Sequence, residues 1–170
     1  DRSGSMQGER IALTREAATQ VVAALTPDDV LSIVFFNDRV ETVLERASVT
    51  DKNHFVAMLE RLEAEGGTAL FEAWEISSAL ALAEADPTRL NRVILLTDGE
   101  ANRGETQSGV ISWYVRKVAE QGVQTTTLGF GEGYNEELLR SMASHGDGNH
   151  FYVATNSQLA RSFEMELAGL

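Results

Sequence analysis

The chain has 170 residues, a net charge of −12, 43% hydrophobic and 24% charged residues, and no cysteine, the composition of one ordinary globular domain with a sizeable core. That charge argues against nonspecific nucleic-acid binding, which needs Lys and Arg to neutralise phosphates. The missing cysteines exclude disulfides, zinc–thiolate sites and a thiol nucleophile, and no apolar stretch approaches the roughly 18–20 residues of a membrane-spanning helix.

The opening residues, Asp1-Arg2-Ser3-Gly4-Ser5, alternate a carboxylate and two hydroxyls around a glycine. Such a turn can aim three oxygens at one point, and hard cations prefer oxygen ligands. The same residue types also crowd into ordinary turns, and Asp1 or Ser3 alone reads equally well as a helix cap. No methionine or signal-peptide pattern precedes Asp1, which leaves a leader or anchor upstream open. A cell-surface, periplasmic or secreted setting is favoured over the cytoplasm.

From Glu9 to Leu25 the apolar residues follow helical spacing until Thr26-Pro27-Asp28-Asp29 breaks it. Leu31 to Phe36 is a near-continuous apolar run, read as a strand covered on both faces. Asn37-Asp38 is a turn signal and Val40 to Val49 a second strand, so the pair predicts a hairpin. Asp51 is placed to cap a short helix carrying Phe55, Val56, Leu59 and Leu62. Gly66-Gly67-Thr68 then leads into a helix from about Leu70 to Ala85, stopped by Asp86-Pro87.

Val93 to Leu96 predicts a buried strand running into Thr97-Asp98-Gly99. A helix follows over Ser108–Gln121, with Gly122 as its C-cap, then a strand over Val123–Phe130. A helix over Glu136–Ser144, a short strand over His150–Val153 and a closing helix over Ser157–Leu167 complete the chain. Alternating strands and helices predict a doubly wound α/β fold: a mostly parallel open sheet, helices on both faces and one antiparallel edge hairpin. No repeat, linker or low-complexity tract divides it, so residues 1–170 read as a single domain.

Several motifs carry no chemistry in this reading. Gly129-Phe130-Gly131-Glu132-Gly133 lacks the register of a dinucleotide fingerprint and has no Walker lysine. There is no G-x-S-x-G elbow. His54, His145 and His150 read as surface or loop residues, Trp74 and Trp113 as core, and Arg2 as a solvated side chain.

Together, Asp1-Arg2-Ser3-Gly4-Ser5, Gly66-Gly67-Thr68 and Leu95-Leu96-Thr97-Asp98-Gly99 resemble the metal-ion-dependent adhesion site of von Willebrand factor A domains, found also in integrin inserted domains. The resemblance extends through Glu100-Ala101-Asn102, Thr127 to Gly131, Asn135 to Leu139 and Gly148 to Tyr152, so it covers essentially the whole chain. Its flavour is bacterial, similar to the A domains of inter-alpha-trypsin inhibitor heavy chains and so-called calcium-activated chloride channel proteins. The resemblance implies a central strand ahead of the first turn. That strand is absent from this chain, which reads as trimmed at its N-terminus.

It further implies that Ser3, Ser5 and Thr68 offer hydroxyls to a divalent ion, Mg²⁺ or else Mn²⁺ or Ca²⁺, while Asp1 and Asp98 supply negative charge, often through water. A protein partner's Asp or Glu would then complete the ion's shell, and the ion would let an acidic chain hold an acidic ligand. Catalysis is not expected, nor nucleic-acid binding or membrane insertion by this segment. The alternatives are a metal-dependent hydrolase and a subunit of an AAA+ chelatase or chaperone assembly. The closing helix is a candidate for coupling to the metal rim.

Overall fold

The computed structural model describes residues 1–83, 85–131, 134–155, 158–159 and 161–162. Two strands, β1 (Val30–Phe36) and β2 (Val40–Ser48), form the antiparallel hairpin, pairing Phe36 with Val40 at the turn and Val30 with Ser48 at the open end. Three more, β3 (Asn91–Thr97), β4 (Val123–Phe130) and β5 (Asp147–Val153), run parallel with β4 in the middle. The helices are α1 (Glu9–Ala24), α2 (Lys52–Leu59), α3 (Leu70–Ala83), α4 (Ser108–Ala119) and α5 (Glu136–His145). This is the expected α/β architecture. Its strands make two ladders, because β1 and β3 are not paired with one another.

The start of the chain lies between those two strands. The backbone nitrogen of Asp1 donates to the Leu96 carbonyl of β3 at 2.9 Å, and the Arg2 amide donates to the Phe36 carbonyl of β1 at 2.7 Å. Residues 1 and 2 therefore bridge the carboxyl ends of β1 and β3.

Alternation along β3 explains why helices cover both faces, since successive side chains of a strand point to opposite sides. Val93 and Leu95 pack into a cluster with Leu70 and Trp74 of α3, Ile111 and Val115 of α4, and Leu139 and Met142 of α5. Ile94 and Leu96 pack on the other side, with Met6 and with Ile11, Leu13 and Ala17 of α1. The hairpin divides likewise. Phe36 and Val40 join the first cluster, whereas Leu31, Ile33 and Leu44 face Val22 of α1 and Phe55 and Leu59 of α2.

Local chemistry sets the helix starts. Asp51 accepts from the His54 amide at 3.2 Å, and Asn135 accepts from the Leu138 amide at 3.1 Å, so each satisfies an otherwise orphaned donor. The buried threonines of β4 are satisfied as well: Thr125 Oγ1 accepts from Trp74 Nε1 at 3.1 Å and Thr126 Oγ1 from the Asn149 amide at 3.2 Å.

The structure changes some expectations. Trp113 is 55% exposed, because α4 turns Ile111, Ser112 and Val115 inward and leaves position 113 on the solvent side of the helix. β5 begins at Asp147, not His150, because Gly146 and Asp147 pair with Thr125. His150 is consequently a half-buried strand residue, held between Thr127 and Tyr134 at 2.9 Å each. A short 3-10 turn, Gly4–Met6, stands between the first turn and α1. Of the closing helix, Gln158, Leu159, Arg161 and Ser162 are helical and the remainder lies outside the described residues.

Candidate metal centre

Three chain segments meet at the carboxyl ends of β1 and β3. The first is the Asp1–Ser5 turn, which folds on itself: the Ser3 amide donates to Asp1 Oδ1 at 2.7 Å, and the Ser3 and Ser5 hydroxyl oxygens lie 3.1 Å apart. The second is the Gly66–Thr68 loop, docked on the first by a hydrogen bond from the Gly4 amide to the Gly66 carbonyl, 2.9 Å. Gly66 has φ +75, and a Cβ there would stand 1.9 Å from Asp38 Oδ1. Only glycine fits that left-handed position against so close a neighbour. Asp38 Oδ1 in turn accepts from the Gly67 amide at 2.8 Å, and this bond, first among its influences, holds the Asp38 carboxyl below its ordinary range.

The third segment is the end of β3. Thr97 donates its hydroxyl to Asp1 Oδ2 and accepts from the Gly99 amide at 2.9 Å, tying the first turn to the Asp98 corner. Asp98 itself is completely buried. Its Oδ1 accepts from the Glu100 amide at 3.3 Å, its backbone carbonyl from the Asn135 amide at 2.9 Å, and its Oδ2 from Arg10 Nη1 at 3.0 Å. The same Arg10 nitrogen donates to the Ser5 carbonyl at 3.3 Å.

Asn102 closes the circuit. Its Oδ1 accepts from the Thr68 amide at 2.9 Å, and the Thr68 carbonyl accepts from the amides of Asn102 and Arg103 at 3.2 Å each.

All five residues singled out from the sequence, Asp1, Ser3, Ser5, Thr68 and Asp98, thus belong to one hydrogen-bonded set of loops. Asp1, Ser3 and Thr68 are buried alongside Asp98, and Ser5 is half-buried. Thr68 enters the set through its backbone, the others also through side chains.

Three contributors escaped the sequence reading. Arg10 sits in the first turn of α1, where the helix dipole favours anions over cations, so no local pattern marks it as a partner of Asp98. Thr97 was read only as part of its motif, and Asn102 only as a common follower of Asp98. Arg2, expected in solvent, is largely covered, with its guanidinium 3.4 Å from Glu41 and 3.8 Å from Glu65.

Two buried carboxylates and three hydroxyl-bearing residues are a hard donor set, suited to Mg²⁺, Mn²⁺ or Ca²⁺. Among the described residues no group of three or more His, Cys, Asp or Glu side chains is arranged to hold a metal, so any ion here would depend on the serine and threonine oxygens.

Known proteins resemble the chain in sequence and, separately, in fold. Among proteins of similar sequence, an uncharacterized protein of Synechocystis sp. is 31% identical over 96% of the chain and 38% of its own length. Mouse inter alpha-trypsin inhibitor heavy chain 4 is 33% identical over 87% of the chain and 17% of its own length. The chain therefore spans well under half of either relative. A von Willebrand factor type A structure from Catenulispora acidiphila superposes with a TM-score of 0.80 at 22% identity, covering 99% of this chain and 40% of that one. Proximal thread matrix protein 1 of the mussel byssus, solved with zinc occupying its MIDAS motif, gives a TM-score of 0.77 at 18% identity, covering 98% and 45%. The family model of the von Willebrand factor type A domain matches residues 1–166, and the chain belongs to that family.

Proposed function

We propose that the chain is a divalent-cation-dependent protein-binding module. One observation carries this reading: the first turn, the Gly66–Thr68 loop and the end of β3 are hydrogen-bonded together so that two carboxylates and the Ser3–Ser5 hydroxyl pair share one rim. Ser3, Ser5 and Thr68 would hold the ion by hydroxyl oxygen, with Asp1 and Asp98 balancing its charge. The bound ion supplies a positive centre able to accept a partner's carboxylate, which a chain of net charge −12 would otherwise repel. The zinc-occupied motif of the mussel byssus protein supports a metal at the equivalent place.

Binding is favoured over turnover by the neighbours of the rim. Among the described residues, the side chains bonded to the rim are Arg10 on Asp98, Thr97 on Asp1 and Asn102 on the Thr68 amide, and none of these three is a histidine, lysine or cysteine that could serve as base or nucleophile.

Thermal melts with and without Mg²⁺ or Mn²⁺ test the reading, with an Asp98→Ala variant alongside. An ion at about 100 times its dissociation constant stabilises by roughly 2.7 kcal/mol, and that gain should vanish in the variant. A cooperative melt unmoved by either ion would overturn it.

A further inference from the structure

We propose that Arg10 is an internal counter-cation of this centre: its guanidinium holds Asp98 when no metal is bound, and an arriving divalent ion must displace it. The inference rests on the metal-binding reading above and deepens it. Asp98 is completely buried, and a buried carboxylate without a partner is strongly disfavoured. Arg10 supplies that partner at 3.0 Å while its own side chain stays 27% exposed, so it is the movable half of the pair.

Two further features fit a displaceable cation. Arg10 Nη1 also donates to the carbonyl of Ser5, so one nitrogen spans the Asp98 corner and the hydroxyl-bearing turn. The pose also depends on Gly131, where a Cβ would stand 2.2 Å from Arg10 Nε. Beside it opens a hollow of about 420 Å³, lined also by Gln7, Glu9, Leu13 and Tyr152, which gives the side chain room to withdraw. A guanidinium and a divalent ion drawn to one carboxylate repel each other, so removing the first strengthens the second.

The test is calorimetric titration of Mn²⁺ into the protein and into Arg10→Gln, with melts of both. Arg10→Gln should bind Mn²⁺ roughly tenfold more tightly, the factor one charge-assisted hydrogen bond represents in an equilibrium constant. Without metal the variant should melt lower than the parent, and saturating Mn²⁺ should close that gap. Equal or weaker Mn²⁺ affinity in the variant, with the parent still binding, overturns the role of Arg10 and leaves the metal centre standing. Absence of Mn²⁺ binding in both proteins sinks the metal reading itself. A measurement on the unmutated protein guards against a variant that misfolds: the Arg10 Nε–Hε resonance should shift on adding Mg²⁺, and an unmoved resonance at saturation also overturns the inference.

Discussion

Thr127 has one hydroxyl proton, and it donates to the Leu139 carbonyl at 3.0 Å. Toward His150 Nδ1, 2.9 Å away, it must then accept, which puts the imidazole proton on Nδ1 and leaves Nε2 to accept from the Tyr134 hydroxyl, also at 2.9 Å. Neutral His150 has both ring nitrogens satisfied in this network, and a proton added at Nε2 would reverse the bond to Tyr134, whose hydroxyl can also accept. Burial, with help from Arg140 and against Glu136, lowers the His150 pKa below its ordinary 6.5. A folded-state pKa below the unfolded value means the stabilisation is whole above about pH 6.5 and is lost as pH falls through the folded value. Urea titrations between pH 7.5 and pH 5 should therefore show stability falling with acid, and His150→Gln should flatten that slope. Equal slopes would remove His150 as the cause.

At the scale of elements, the site depends on short loops whose geometry is set by neighbours. The Gly66–Thr68 loop is clamped from three sides: by Gly4 on the Gly66 carbonyl, by Asp38 on the Gly67 amide and by Asn102 on Thr68. Gly66→Ala forces a side chain into the left-handed region and onto Asp38, and should cost about 1–3 kcal/mol. Its sharper signature is functional, since Thr68 shifts with the loop. The stabilisation by Mg²⁺ should shrink by more than the loss of metal-free stability explains, as differential scanning calorimetry with and without the ion will show. The helix caps at Asp51 and Asn135 were readable as local chemistry, and Asp51 was in fact anticipated. The clamp on Gly66 was not, because Asp38 is distant along the chain and meets the loop only after the hairpin has formed.

For the molecule as a whole, α3 links the rim to the core. It starts two residues after Thr68, and its Trp74 is buried against β4, with Nε1 donating to Thr125 Oγ1 at 3.1 Å and the ring stacked on Phe71 at 5.9 Å. Trp74→Ala removes a large core side chain and strands the Thr125 hydroxyl, at a cost of about 3–5 kcal/mol. For a chain of this size a loss of that order should lower Tm by roughly 10 °C, measurable by circular dichroism. Trp113, which looks equivalent by composition, lies at the exposed face of α4, so Trp113→Ala should leave Tm nearly unchanged.

The contrast between the two tryptophans marks what one-dimensional pattern can decide. Among the described residues, the order of strands and long helices, the hairpin and the Asp51 cap were legible in the sequence, as was the choice of five oxygen-bearing residues that the fold brings into one set of loops. Each rests on short-range spacing, turn chemistry or motif, and these act within a few residues. What needed tertiary structure was every pairing across the chain. Arg10 meets Asp98 across 88 positions and Thr97 meets Asp1 across 96. Asp38 closes on Gly67, and His150 is drawn between Thr127 and Tyr134. Local sequence sets which oxygens and charges exist, whereas which of them neutralise one another is decided by how the strands and helices stack. That stacking depends on the burial of both faces of β3 and on no single motif.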